Sequence, residues 1–165
     1  MTDVHSAEAR SRNMAAIRGK DTKPEMTIRR ALHAKGFRYR LHNRELPGRP
    51  DLVFRKHKAV IFVHGCFFHG HKCRTFRWPA SNVDFWRAKI GSNWKRDLRV
   101  LAVLRQAGWR TAVVWECAVR ATGGPTIAAT ELALIQWLRS KEPSLEIGEH
   151  GPVNQIERVP RSRNR

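Results

Sequence analysis

Hydrophobic and polar residues along this chain switch repeatedly between a helical period and a strand period. Ile28, Ala31 and Leu32 recur at helical spacing between Thr22 and Gly36. Thr22 followed three residues later by Glu25, with Pro24 inside the first turn, is a capping-box start, and Gly36 is a stop signal, so a helix is predicted here. Phe37, Tyr39 and Leu41 then alternate with Arg38 and Arg40, the pattern of a half-buried strand with a cationic outer face. Two unbroken apolar runs follow, Leu52-Val53-Phe54 and Val60-Ile61-Phe62-Val63, joined by Arg55-Lys56-His57-Lys58 and bounded by Gly48, Pro50 and Gly65. Rich in β-branched and aromatic residues, they read as a hairpin buried on both faces. Asn82 is placed to cap a helix from Val83, which Gly91 interrupts and whose apolar stripe, Trp94, Leu98, Leu101 and Leu104, runs on to Gly108. The run from Arg110 to Trp115 is another buried strand, and Pro125 opens a last helix with Leu134, Ile135 and Leu138 facing inward. Strands interleaved with helices make the expected fold α/β.

Length confines this pattern to one domain: 165 residues with 41% hydrophobic content build one real core and not two comfortable ones. Residues 1–20 carry Arg10, Arg12, Arg18 and Lys20 with few apolar groups and read as an arm that orders on a partner; residues 21–139 form the domain. From residue 140 onward Pro, Gly and charge dominate, and residues 140–165 are expected to be a basic, solvated tail that buries too little apolar surface to order itself. Thirty-two Lys and Arg against fourteen Asp and Glu give a formal charge of +18, which draws in polyanions and makes nucleic acid the leading partner, DNA or RNA, over a merely soluble basic protein. No window reaches the roughly twenty apolar residues of a membrane span, and the polar start lacks a secretion-signal core, so a cytoplasmic protein is expected. No extensive apolar surface is signalled, and a monomer is the default.

Chemistry concentrates in one stretch. Asp51 opens the first apolar run; the second ends in His64-Gly65-Cys66-Phe67-Phe68-His69-Gly70-His71-Lys72-Cys73. Cys66, His71 and Cys73 span eight residues, and sheet pairing could bring Cys117, just past the Arg110 to Trp115 strand, beside them. Three thiolates and one imidazole saturate a tetrahedral zinc ion and leave no place for water, which makes such a site structural. Cys66 to His69 is also ligand spacing, so either histidine could complete the set, and three buried, metal-free cysteines are the plainer alternative. The protease H-E-x-x-H and the deaminase H-x-E with P-C-x-x-C are absent, which argues against catalytic zinc. Asp51 is either a turn residue after Pro50 or a carboxylate that a cation must satisfy. Beside a His-rich strand end in a polycationic protein, it has the parts for phosphodiester cleavage with Mg²⁺ and an imidazole base.

Pro50-Asp51 followed by an apolar strand is similar to the PD-(D/E)xK restriction-endonuclease pattern, although Phe62-Val63-His64 stands where that pattern has acid-x-Lys. Taken with Asp21-Thr22-Lys23-Pro24-Glu25, Gly48-Arg49-Pro50-Asp51, Val63-His64-Gly65-Cys66-Phe67, His69-Gly70-His71-x-Cys73 and Trp115-Glu116-Cys117, the chain closely resembles the very-short-patch repair (Vsr) endonucleases from about residue 10 to residue 138. The resemblance implies a restriction-endonuclease-like three-layer core, a central mixed sheet flanked by helices and braced by zinc. It implies an enzyme that nicks duplex DNA 5′ to the thymine of a T·G mismatch left by 5-methylcytosine deamination. Asp51 would bind catalytic Mg²⁺ with the main-chain carbonyl of Val63, where the family pattern has Thr; His69 would be the general base, His64 would assist at the phosphate, and Glu25 would hold metal-bound water. Cys66, His71, Cys73 and Cys117 would hold zinc. Phe67, Phe68 (Trp in the family pattern) and Trp86 would wedge into the stack beside the mismatch, with Met14, Lys89 and Asn93 contacting DNA. A mismatch-repair protein is a further implied partner. The rival readings are a restriction-type endonuclease and a non-catalytic zinc-stabilised nucleic-acid binder.

Overall fold

The computed structural model describes residues 19–120 and 126–153. Among the described residues, three α-helices and six strands follow in the order β1 (Arg40–Leu41), β2 (Leu52–Phe54), β3 (Ala59–His64), β4 (Arg110–Trp115), β5 (Ser144–Gly148) and β6 (Gly151–Val153), with α1 (Lys23–Ala34) ahead of β1, α2 (Val83–Gln106) ahead of β4 and α3 (Ile127–Arg139) ahead of β5. The strands form one mixed sheet in sequence order. β1, β2 and β3 are antiparallel, β3, β4 and β5 parallel, and β6 returns antiparallel.

Both sheet faces are covered, and this is why β2, β3 and β4 read as unbroken apolar runs. Ile28 and Leu32 of α1 and Leu134 and Leu138 of α3 pack on one face with Leu52, Phe54, Ile61, Ala112 and Val114. Leu101 and Leu104 of α2 pack on the other with Val53, Val60, Phe62, Val113 and Trp115. The result is the three-layer helix, sheet, helix arrangement of the restriction-endonuclease-like fold. No described helix is long and apolar enough to cross a membrane.

Side-chain caps start α1 and α3 where the pattern predicts, whereas Asn82 stands before Val83 at φ +52° and its side chain makes no capping hydrogen bond to α2. The Thr22 hydroxyl accepts the Glu25 amide and opens α1, and the Thr126 hydroxyl accepts the Ala129 amide and opens α3; the start expected at Pro125 lies outside the described residues. The Phe37 to Leu41 alternation shortens to the two-residue strand β1, although Phe37 and Tyr39 do pack on the core.

Two expectations are corrected. Gly91 does not interrupt α2, which runs unbroken for 24 residues, and its inward stripe is Ile90, Asn93, Asp97, Leu101 and Leu104, rotated away from Trp94 and Leu98. One interior glycine costs only about 1 kcal/mol of helix propensity, which the packing of the rest of the helix outweighs. Nor is everything beyond residue 140 a solvated tail: β5 and β6 extend the sheet, with Leu145 and Ile147 buried beside β4. Every second residue of β5 is apolar, enough for a strand that borrows a ready-made parallel partner, and an average over Pro, Gly and charge hides that alternation. Residues 1–18 of the arm, with Met14, and residues 154–165 lie outside the described residues.

Candidate active site

Strand register brings Asp51 to the histidines. Leu52 lies opposite Ile61 in the antiparallel β2–β3 pair, so the start of β2 meets the end of β3. There the Val63 N–H donates to Asp51 Oδ2 at 2.7 Å. Burial, the largest influence, pushes the Asp51 carboxyl up from 3.8 to about 6; the Glu25 carboxylate adds to the rise, while the Val63 N–H, His42 and His69 oppose it. Desolvation of a carboxylate is a cost that a cation relieves. A carboxylate beside a strand end rich in main-chain oxygen is a hard-ligand environment, so the donor set fits Mg²⁺.

His64 ends β3, and His69 lies in the loop that follows. Their rings stack, with centroids 3.9 Å apart and planes 7° from parallel. His69 Nδ1 is hydrogen-bonded at 2.5 Å to Oδ2 of Asp97, a buried residue of α2. With Asp97 as the acceptor, Nδ1 carries the proton and Nε2 is the basic nitrogen. Asp97 was missed from sequence, but a signal existed: it continues the Ile90 face at helical spacing, a position where a carboxylate needs a partner. An open cleft of about 770 Å³ gathers Asp51, Val63, His64, His69 and Asp97, and Lys20, Arg44, Arg49 and Arg96 line it with positive charge.

Glu25 sits at the edge of this group, 2% exposed. One of its oxygens accepts the Asp21 N–H at 2.7 Å, so it does close the helix start as a capping residue. The other faces Arg29 Nη1 at 3.4 Å and His42 Nε2 at 3.2 Å. His42 was also missed; it occupies the position after β1 and lines the cleft.

A second cluster lies beyond the histidines. Ligand atoms of Cys66, His71, Cys73 and Cys117 all fall within 4.8 Å of one another. His71 Nδ1 is 3.6 Å from Cys66 Sγ and 3.5 Å from Cys117 Sγ. Tetrahedral zinc with its usual bond lengths separates such N and S ligands by about 3.6 Å, so the cluster has the right size. Parallel pairing of His64 with Trp115 carries Cys117 to the loop. The neighbouring Cys117 thiol and burial both push the Cys66 thiol up, the cost of pressing thiols together without a cation. Of the two histidines whose spacing would suit, His71 is the one that faces the thiols. The His71 ring stacks on Trp115, with centroids 4.3 Å apart and planes 7° from parallel.

Aromatic rings form a ledge beside the cleft. Phe67 lies 5.0 Å from Trp86 and 5.2 Å from Phe68, edge to face in both cases. Phe76 and Trp78 extend the ledge at one end and Phe85 at the other. Trp78 is 49% and Phe85 61% exposed, so the ledge ends in open aromatic surface. Lys89 is exposed on α2. Asn93 is buried and donates Nδ2–H to the Phe68 carbonyl at 2.9 Å, which holds the loop that carries Phe67 and Phe68 to α2.

Comparisons with known proteins identify the family. Residues 2–75 match the family model described as DNA mismatch endonuclease Vsr. The chain is 41% identical over 151 residues to the DNA mismatch endonuclease Vsr of Escherichia coli K12, covering 92% of this chain and 97% of that one. It is 50% identical over 117 residues to the type II nicking enzyme V.XorIIP of Xanthomonas oryzae pv. oryzae, covering 71% and 86%. It is 43% identical over 120 residues to the type II nicking enzyme V.NmeAIP of Neisseria meningitidis, covering 73% and 86%. By motif, by three-layer fold and by identity over nearly its whole length, the chain belongs to the Vsr family of DNA mismatch endonucleases.

Proposed function

We propose that this endonuclease nicks one strand of duplex DNA 5′ to the thymine of a T·G mismatch, by Mg²⁺-dependent hydrolysis, and so opens the repair of deaminated 5-methylcytosine. The observation that carries the reading is the cleft that joins Asp51, Val63 and the His69–Asp97 pair under a rim of Lys and Arg. Asp51 and the main-chain carbonyl of Val63 would hold the ion, since the N–H and C=O of one residue in an antiparallel ladder face the same neighbouring strand. When bound, Mg²⁺ supplies a Lewis acid that withdraws charge from the phosphodiester and lowers the pKa of water.

The remaining work falls to the chain itself. His69 Nε2 accepts the proton of the attacking water, and Asp97 holds the ring through Nδ1, so the basic nitrogen is fixed in tautomer and direction. His64, stacked on His69, limits the ring's rotation and offers a donor to the phosphate. Glu25 orders water at the edge of the ion site. Lys20, Arg44, Arg49 and Arg96 neutralise the backbone phosphates, a contribution that weakens with salt. Cys66, His71, Cys73 and Cys117 would bind Zn²⁺ as a saturated structural clamp.

Selection of damaged sites follows from the aromatic ledge. Inserting Phe67, Phe68 and Trp86 between base steps costs a few kcal/mol of unstacking, least where a mismatch has already weakened the stack. The test is an oligonucleotide panel carrying T·G, C·G and other mismatches, with and without Mg²⁺, scored for single-strand nicks. A nick confined to the thymine strand of T·G duplexes is expected. Equal cutting of matched and mismatched DNA, or cutting of both strands, refutes mismatch selection in favour of a restriction-type nuclease; binding without cleavage under any metal leaves a zinc-stabilised binder.

A further inference from the structure

We propose that His42 is a positioning residue of the metal centre, setting Glu25 against Asp51 so that the two carboxylates converge on one cation. The inference rests on the metal-dependent reading above and adds to it a residue that neither the chain's motifs nor the match to relatives singles out.

Geometry places His42 between the two acids. Its Nε2 lies 3.2 Å from Glu25 Oε1 and its Nδ1 3.8 Å from Asp51 Oδ1. No other described side chain approaches both carboxylates on opposite edges of one ring. Glu25 comes from α1 and Asp51 from the start of β2, so nothing in the chain's local sequence fixes their separation; His42, after β1, is the group that spans it. Asp21, 3.7 Å from the same Nε2, is already paired with Arg29.

The backbone is arranged to aim this ring. His42 has a φ of +46°, a left-handed conformation uncommon outside glycine, although His, Asn and Asp adopt it more readily than most residues. Its N–H donates to the Asp51 carbonyl at 3.3 Å, so the turn that carries the ring is hydrogen-bonded to the residue whose carboxylate it faces. The ring is partly enclosed, at 27% exposure, and its Nε2 is buried without a hydrogen bond of good geometry. A separation of 3.2 Å is within hydrogen-bonding reach, and poor alignment in the ligand-free site does not exclude a bond in the loaded one. A modest turn of the ring or of the Glu25 carboxylate completes it. The bond then adds to the Arg29 contact at 3.4 Å in restraining the Glu25 oxygen that does not accept the Asp21 N–H.

The test measures metal binding apart from turnover, on the full zinc-loaded chain without DNA. Mn²⁺ is titrated and the free ion counted by electron paramagnetic resonance. The variants are His42→Gly, which accepts the positive φ but has no ring, His42→Gln, which restores a donor of similar reach, and Asp51→Asn as the reference for loss of the centre. Positioning predicts that His42→Gly weakens Mn²⁺ binding by roughly tenfold, the usual scale for groups that orient ligands, and that His42→Gln recovers most of it. Melting temperature and metal-free DNA affinity stay at the wild-type value. If Asp51→Asn abolishes binding while His42→Gly leaves it unchanged, the metal centre stands and the role of His42 is overturned. Should His42→Gly lower the melting temperature, with glutamine restoring stability but not Mn²⁺ affinity, His42 is structural and the proposal falls. If Asp51→Asn itself binds Mn²⁺ as wild type does, the centre is misplaced and both readings fall together.

Discussion

Replacing Asp51 by Asn should end cleavage and make the metal-free protein more stable, and the two effects have one cause. The wild-type carboxyl is displaced upward from 3.8 to about 6, chiefly by burial. At about 1.4 kcal/mol per pKa unit, ionising it in the folded chain costs up to about 3 kcal/mol at neutral pH. The sign follows from proton counting. Between about pH 4 and pH 6 the folded state binds more protons than the unfolded one, so stability falls as pH rises through that window; below about pH 4 the penalty is absent, and above about pH 6 it is complete. Asparagine removes the charge and keeps an oxygen to accept the Val63 N–H. For a chain of this size a gain of that order raises the melting temperature by roughly 6–12 °C at pH 7.5, and by little at pH 4. Urea and thermal melts of zinc-loaded wild type and Asp51→Asn, each at both pH values and with or without Mg²⁺, read this directly. Mg²⁺ should stabilise wild type and not the variant. An equal gain at both pH values would place the effect in packing and not in charge; no gain at pH 7.5 would refute the account of a desolvated carboxylate waiting for a cation.

The other residues give separate expectations. His69→Ala should lower the nicking rate by about 10²–10⁴, the usual worth of a general base, and Asp97→Asn by roughly 10–100-fold, with DNA affinity kept in both; single-turnover assays and gel shifts separate the two quantities. Removal of zinc by a strong chelator should unfold the loop and drop the melting temperature, and metal analysis should find one zinc per chain in wild type and none in Cys117→Ser. Phe67→Ala should weaken binding to a T·G duplex by about 1–3 kcal/mol of stacking, with a smaller effect on matched duplex; the comparison of dissociation constants decides it. A Cβ added at Gly148 would stand 3.2 Å from two atoms of the His71 ring, so Gly148→Ala should cost about 1–3 kcal/mol of stability and weaken zinc retention, read by melting in a chelator series.

Legibility from sequence followed the range of the interactions. α1 was readable because its start signal lies within four residues, and Thr22 and Glu25 do cap it. β2, β3 and β4 were readable because burial on both faces writes itself as an apolar run. That Cys66, Cys73 and Cys117 gather was readable from spacing and strand pairing, except for which histidine joins them, and the fold of the loop brings His71. Asp97 and Asn93 were not, because a polar residue on a helix declares its partner only when the helix is rotated onto its neighbour. A stripe drawn through Trp94 and Leu98 turns both outward, whereas α2 is rotated to satisfy His69 Nδ1 and the Phe68 carbonyl. β5 was lost for a related reason: Leu145 and Ile147 alternate with Ser144 and Glu146, and only the parallel partner β4 makes so short an alternation a strand.

These late-found contacts show how His69, the proposed base, is held although it sits on a loop. Residues 65–73 leave the end of β3 with two glycines and no regular structure, and a free loop of that kind would spread His69 over many positions. It is held from three directions. The thiol and imidazole cluster ties down Cys66, His71 and Cys73 on either side of His69. Asn93 and Asp97, one turn apart on α2, take the Phe68 carbonyl and the His69 ring. Glu149, at the β5–β6 turn, accepts the Arg74 N–H at 2.7 Å, and Gly148 backs the His71 ring. Gly70, at φ +65°, lets the loop reverse where a Cβ would stand 2.7 Å from an Ile90 methyl. A base placed on such a loop is as fixed as one on a helix, which catalysis by proton transfer requires. The thiol and imidazole cluster therefore helps to set the position of the His69 ring, the proposed general base, and the β5–β6 turn closes the same clamp from the far side.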